Sequence, residues 1–184
     1  MNRTLPDIRR LHSAARILVA LPVFFCVCFC AATYSKAADT AIQVQLDTKE
    51  AKPRAVENLT ERGILRDYRF AWKSMAQALE SNSVNPLEGP FAGNAKEWLR
   101  DTILSQQHSG LTRRYDGQTH RLEAVFYAPE GDVMELHDTA EYQLQLLDGG
   151  KVVSDEHIVQ HFVVLMTPGA DHWVIRQLQA VPQF

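Results

Sequence analysis

Apolar residues recur every three to four positions in two stretches of the chain, a spacing typical of amphipathic helices. The first stretch predicts a helix that begins within 54–62 and ends near 81–83, and the second predicts a shorter helix that ends at Gly110. A breaker-rich loop, SVNPLEGPFAG, lies between them. The apolar stripes are Ile64, Tyr68, Trp72, Met75 and Leu79 in the first helix, and Ala95, Trp98, Leu99, Thr102 and Ile103 in the second.

The apolar period changes from 3.6 to 2 after Gly110, which predicts β-strands for the rest of the chain. Short connections rich in turn residues, such as Asp148-Gly-Gly150, join the strands in antiparallel order. The central strands exceed the usual length of about five or six residues, so the sheet is expected to curl, with bulges. The four predicted strands are 119–128, 133–147, 151–166 and 172–181. The predicted class is α+β: two N-terminal helices packed on a curved, cone-shaped, four-stranded antiparallel meander.

Residues 1–37 carry the order of features that is typical of an export signal. Four arginines precede the apolar run ILVALPVFFCVCFCAA at 17–32, and Ser35-Lys-Ala37 follows it. The 16 apolar residues fall short of the roughly 20 that a spanning helix needs, but Thr33 and Tyr34 extend the run. Two outcomes stay open: cleavage after Ala37, or retention as a membrane anchor through 17–34. In both, the rest of the chain is exported, to the periplasm or the cell exterior, either free or anchored in the inner membrane.

The exported part divides into a polar tether at 38–54 and one folded domain at 55–184. Within the tether, Ile42, Val44 and Leu46 alternate with polar residues, a pattern compatible with one short strand. Removing 1–37 takes five Lys/Arg from 19 and one Asp from 22 Asp/Glu, which leaves 14 against 21 and a net charge of −7. So acidic a domain is not expected to bind nucleic acid, whose phosphates require cations. All three cysteines lie in the apolar run, so the exported part offers neither a disulfide nor a thiolate.

One carboxylate interrupts the apolar face of the second predicted strand. In MELHDTAEYQLQL, which spans 134–146, Asp138 shares a face with Met134, Leu136, Ala140 and Tyr142. An unpartnered buried carboxylate costs several kcal/mol or stays protonated. We therefore expect Asp138 to have a polar partner across the sheet.

The length of the Asp148-Gly-Gly150 loop determines which residue of the third predicted strand lies opposite Asp138. A two-residue Gly-Gly loop places Asp138 opposite His161, and an Asp-Gly loop places it opposite Val159. A three-residue loop places Asp138 opposite Gln160. The three-residue loop also sets Leu136 against Phe162, and we favour it because it matches the larger apolar side chains.

Asp138 has four interpretations. It is a carboxylate satisfied by its neighbours or turned toward water at a bulge, a polar group that orients a ligand in a cavity, a general base with a raised pKa, or a residue whose assigned face is reversed by a bulge. His157 and His161 share a strand face but lie about 13 Å apart in a strand, too far to share one ion. We therefore predict no metal site. We also predict no cofactor and assign no catalytic residue. The predicted pocket residues are Asp138, Tyr142, Gln160, His161, Tyr68 and Trp72.

The order of elements, the mid-helix Trp72 and the closing segment Asp171-His-Trp-Val-Ile-Arg176 resemble the nuclear transport factor 2-like superfamily, over about residues 55–182. This superfamily includes SnoaL-like and ketosteroid-isomerase-like domains. The resemblance implies a cavity between helices and concave sheet, and a homodimer through the exposed sheet face. One exported branch, in type IV secretion machinery, hangs such a domain from a single N-terminal membrane segment. The isomerases' catalytic acid and tyrosine motifs do not align onto this chain, so the resemblance implies no catalytic residue here.

Members of that superfamily serve as isomerases, cyclases, hydrolases, binding modules and scaffolds, so the resemblance alone fixes no function. We expect an exported, non-enzymatic binding or scaffold domain that takes a small ligand or a protein. Two alternatives stay open. One is an isomerase or cyclase that uses Asp138 as its base, and the other is a membrane-anchored component of an envelope assembly.

Overall fold

The computed structural model describes residues 41–184. The apolar run at 17–32 and the cleavage site after Ala37 lie outside the described residues. In chain order the elements are β1 (Gln43–Asp47), β2 (Lys52–Pro53), α1 (Asn58–Glu80), a 3₁₀ turn (Asn85–Leu87), α2 (Gly93–Ser109), β3 (Leu111–Tyr127), β4 (Met134–Asp148), β5 (Lys151–Pro168) and β6 (Trp173–Val181). None of the helices between 41 and 184 is long and apolar enough to cross a membrane.

The predicted four-stranded antiparallel meander is wrong, because the sheet has six strands and is mixed. Its order is β1-β3-β4-β5-β6, and β2 also pairs with β3. β1 and β2 run parallel to β3, whereas β3 to β6 pair antiparallel in chain order. The two additional strands come from 38–54, the segment predicted as a tether. Their partner β3 lies far along the chain, so local periodicity could flag a strand at Val44 but could not place it in this sheet.

The two helices cover one face of the sheet, which we call the inner face; the opposite face is the outer face. All five apolar positions predicted for the first helix are buried in α1. In α2 the buried stripe is Ala95, Leu99, Ile103 and Gln106. The prediction that Trp98 lies in this stripe is wrong, because its side chain is 48% exposed. Gly110 ends α2 in the left-handed conformation, with φ of 72°, as its position predicted.

The favoured register between β4 and β5 is also wrong. Asp148 pairs with Lys151 across a two-residue Gly149-Gly150 loop, in which both glycines have positive φ. A bulge between this turn and Ser154 then shifts the pairing by one residue, so Asp138 faces Phe162. The observed and favoured registers differ by two residues. The same side of each strand therefore points inward, and Asp138 lies on the inner face as the alternation predicted.

Candidate functional site

Asp138 is the centre of a buried cluster that joins α1 to β3 and β4. Its Oδ2 accepts a hydrogen bond from the Tyr68 hydroxyl at 2.7 Å and pairs with His120 Nδ1 at 2.8 Å. All three residues have 0% exposure. The Tyr68 hydroxyl and His120 Nδ1 thus both contact the same carboxylate oxygen. The cluster therefore provides the polar partner that a buried Asp138 requires.

The local sequence positions each member of this cluster. Tyr68 lies on the buried stripe of α1. Asp138 pairs with Leu122 and His120 pairs with Ala140, so the carboxylate and the imidazole are diagonal neighbours on the inner face. His120 was not among the predicted pocket residues. The signal that could have found it is its alternation with Leu122 on the same side of the strand.

The cluster has more polar atoms than partners. Among the described protein atoms, Asp138 Oδ1, His120 Nε2 and Trp72 Nε1 are buried without a hydrogen-bond partner. The Trp72 ring lies 4.2 Å from the His120 ring, centroid to centroid.

Burial also keeps the tyrosines of this region protonated. Burial raises the pKa of Tyr68 well above 10.0, and the adjacent Asp138 raises it further. The pKa of Tyr142 is raised by burial, with smaller contributions from Tyr115 and Asp138. Near neutral pH both hydroxyls are therefore hydrogen-bond donors, and neither can act as a base.

The structure brings together four of the six predicted pocket residues. Tyr68 bonds Asp138, and the Trp72 ring lies 6.2 Å from the Tyr142 ring. Gln160 is half-buried opposite Ala140, and its amide donates to the carbonyls of His161 and Val181. His161 itself lies on the outer face, where Nδ1 bonds Thr139 Oγ1 at 3.1 Å and Phe184 packs against its ring. His161 therefore cannot reach Asp138.

Among the surface grooves formed by residues 41–184 are two whose lining does not include Asp138. The first, of about 390 Å³, runs beside β1 and is lined by Gln45–Lys49, Arg121 and Leu122. The second, of about 360 Å³, lies between the start of α1 and the loop before β6. It is lined by Leu59, Gly63, Arg66 and residues 168–173. No group of acidic, histidine or cysteine side chains suited to a metal ion occurs among residues 41–184.

Hydrogen bonds hold the charged side chains at the second groove in place. Asp67 is buried, and its carboxylate accepts hydrogen bonds from two nitrogens of the Arg66 guanidinium, at 2.7 and 3.0 Å. It also accepts a hydrogen bond from the Trp173 backbone N–H at 2.7 Å. His172 Nε2 lies 3.1 Å from the Gly89 carbonyl, and Nδ1 bonds the Asp171 carboxylate. Both ring nitrogens thus face acceptors. The Gly89 carbonyl first and Asp171 second raise the pKa of His172 above 6.5, so this imidazole is poorly suited to act as a base.

The raised pKa of His172 predicts a fall in stability at alkaline pH. The folded chain holds this proton more tightly than the unfolded chain, so the stabilisation is complete below about pH 6.5 and is lost as pH rises through the raised pKa. Between about pH 6 and 9, we expect the free energy of unfolding to fall by up to about 1 kcal/mol more in the wild type than in His172→Gln. The difference stays this small because the site is near solvent. Urea unfolding at both pH values measures this. Equal losses in the two proteins would contradict it.

Comparisons with known proteins show a likeness of fold. No family model matches this chain. No curated protein matches it either. The chain is similar to the crystal structure of the intermembrane space region of the chloroplast protein ARC6, with a TM-score of 0.52 and 15% identity over 70% of this chain and 98% of that one. At that identity, the likeness establishes shared architecture and no shared activity.

Proposed function

We propose that this chain is an exported, non-enzymatic binding or scaffold domain of the nuclear transport factor 2-like type. The observation that carries the proposal is the complete burial of Asp138, Tyr68 and His120. A general base must come within hydrogen-bond reach of its substrate. The isomerase or cyclase alternative therefore needs an open route to Asp138, whereas its side chain is fully buried and lines neither of the two grooves described above. Recognition falls to the surface of the domain.

Two observations support export. Residues 1–37 have the basic, apolar and small-residue order of an export signal. The similar ARC6 region is described as lying in an intermembrane space, so an envelope compartment is one setting in which this architecture occurs. Cleavage after Ala37 and anchoring through 17–34 are both consistent with the proposal. A homodimer through the outer face stays a prediction; Val159, which is 57% exposed, lies there.

Export is tested by fusing alkaline phosphatase after Phe184 of the full chain. This reporter needs disulfides that form outside the cytoplasm, so an active fusion is expected. An inactive fusion that is nevertheless stable and abundant would contradict export. The mass of the chain recovered from its host then distinguishes a protein that begins at Ala38 from one that keeps its anchor.

The non-enzymatic part is tested by incubating the purified chain with ketones that isomerise through an enol. We expect no turnover above the rate in buffer, for the wild type and for Asp138→Asn alike. Turnover by the wild type that disappears in a folded Asp138→Asn variant would overturn the proposal and identify Asp138 as a base.

A further inference from the structure

The exposed side of α1 carries a line of cations. We call Arg62, Arg66, Arg69 and Lys73 the basic stripe; their spacings of four, three and four place them on one face of the helix. All four side chains are exposed. At about 1.5 Å per residue the stripe is roughly 16 Å long. It is long enough to contact an extended segment of several residues.

This stripe is an exception on an acidic domain. Residues 41–184 contain 14 Lys/Arg and 20 Asp/Glu, a net charge of −6. Between Arg62 and Lys73 the sole acidic residue is Asp67, which is buried and bonded to the Trp173 backbone. The local charge of this surface is therefore opposite in sign to that of the domain as a whole.

The stripe is also incompletely neutralised. Arg66 pairs with Asp67, and Arg69 donates to the Val44 carbonyl at 3.1 Å. Arg62 and Lys73 form no ion pair with any residue between 41 and 184. Like charges three and four residues apart destabilise a helix. An anionic partner would relieve this repulsion.

Apolar surface lies beside the cations. Phe70, between Arg66 and Lys73 on the same side of α1, is 52% exposed, and Leu59, one turn before Arg62, is 76% exposed. Leu59 and Arg66 also line the 360 Å³ groove, whose far wall is formed by residues 168–173. The surface thus combines cations with an aromatic side chain and a groove for apolar side chains, the combination enriched at protein interfaces.

We propose that the basic stripe, together with Leu59, Phe70 and the adjacent groove, docks an acidic segment of a partner protein that also carries apolar side chains. The proposal rests on the assignment of this chain as a binding domain and names its partner's chemistry. An anionic membrane is the less favourable occupant. A flat bilayer presents negative charge to the whole surface, including the exposed Asp171 in the groove, whereas a peptide can place apolar side chains there and keep its acidic side chains on the stripe.

The test is a fluorescence-anisotropy titration of the full chain with a labelled peptide of alternating Glu and Leu residues. The Arg62→Glu/Lys73→Glu variant changes two cations that have no hydrogen bond of their own among the described side chains. Arg100→Glu/Lys151→Glu changes the net charge equally at exposed positions elsewhere and is the control. We expect the first variant to weaken binding by about tenfold or more and the control by less than about twofold.

Four results would overturn the docking proposal: no binding, equal weakening by both variants, equal binding of a Gln-for-Glu peptide, or tighter binding to phosphatidylglycerol vesicles than to the peptide. Any of these results refutes the basic stripe as the docking site. If the phosphatase fusion is active and no ketone is turned over, the export and binding-domain proposal still stands. Turnover lost in Asp138→Asn refutes that proposal instead. The two failures are therefore distinguishable.

Discussion

Replacing Asp138 by alanine is expected to destabilise the domain by about 3–5 kcal/mol. The substitution removes the acceptor for the Tyr68 hydroxyl and the partner of His120 Nδ1, and both groups are then buried without a bond. Asp138→Asn should cost less, because the amide oxygen can still accept from one or both donors. Urea unfolding at neutral pH measures both effects.

Asp155→Ala is the matched control. Asp155 accepts hydrogen bonds from Gln143 and Gln145 but lies exposed on β5. Its removal should change stability by about 1 kcal/mol or less, since exposed polar contacts contribute little. An Asp138→Ala variant no less stable than Asp155→Ala would show that the buried cluster does not hold α1 to the sheet.

Trp72→Ala is the second large effect, with an expected loss of about 3–5 kcal/mol. The Trp72 side chain is 1% exposed, and its ring packs 4.2 Å from His120 and 5.6 Å from Phe162. Truncation leaves a cavity beside the Asp138 cluster, in a region where backbone hydrogen bonding restricts collapse of the surrounding strands. The midpoint of urea unfolding should fall sharply.

Trp98→Ala supplies the comparison on the other helix. Trp98 is 48% exposed on α2, so its truncation should cost about 1 kcal/mol or less. Tryptophan fluorescence cannot serve as the sole probe, because both variants remove a fluorophore; far-ultraviolet circular dichroism follows both. Equal losses for the two variants would contradict the assignment of Trp72 to the core and Trp98 to the surface.

How much of this fold was predictable depends on the range of the interactions. The burial of Tyr68 and Trp72 followed from helical period, and the inward direction of Asp138 followed from strand alternation, because both are local properties. The position of β1 did not follow, since five residues with a weak pattern must find β3 far along the chain. The β4–β5 register was missed for two reasons, each worth one residue: the loop has two residues instead of the favoured three, and a bulge that no residue type marks follows the turn.

In the site, too, the local property was predictable and the long-range pairing was not. Alternation could predict that a carboxylate lies in the interior, but it could not select His120 as its partner over residues of β5. That choice depends on the register between β3 and β4, which contains two bulges of its own. His161 was predicted beside Asp138 in one register, and the observed pairing with Thr139 places it on the outer face instead.

The central claim is that the Asp138 cluster is sealed and serves structure, so that recognition takes place on the surface. His120 Nε2 reports on this directly, because it is buried and unpartnered and would react with diethyl pyrocarbonate if the reagent reached it. His157, whose side chain is 59% exposed, is the internal control. Mass spectrometry of the treated native chain should find His157 modified and His120 at least about tenfold slower, with His120 reacting once urea unfolds the protein. Modification of native His120 at the rate of His157 would contradict the account and open the cluster to a substrate.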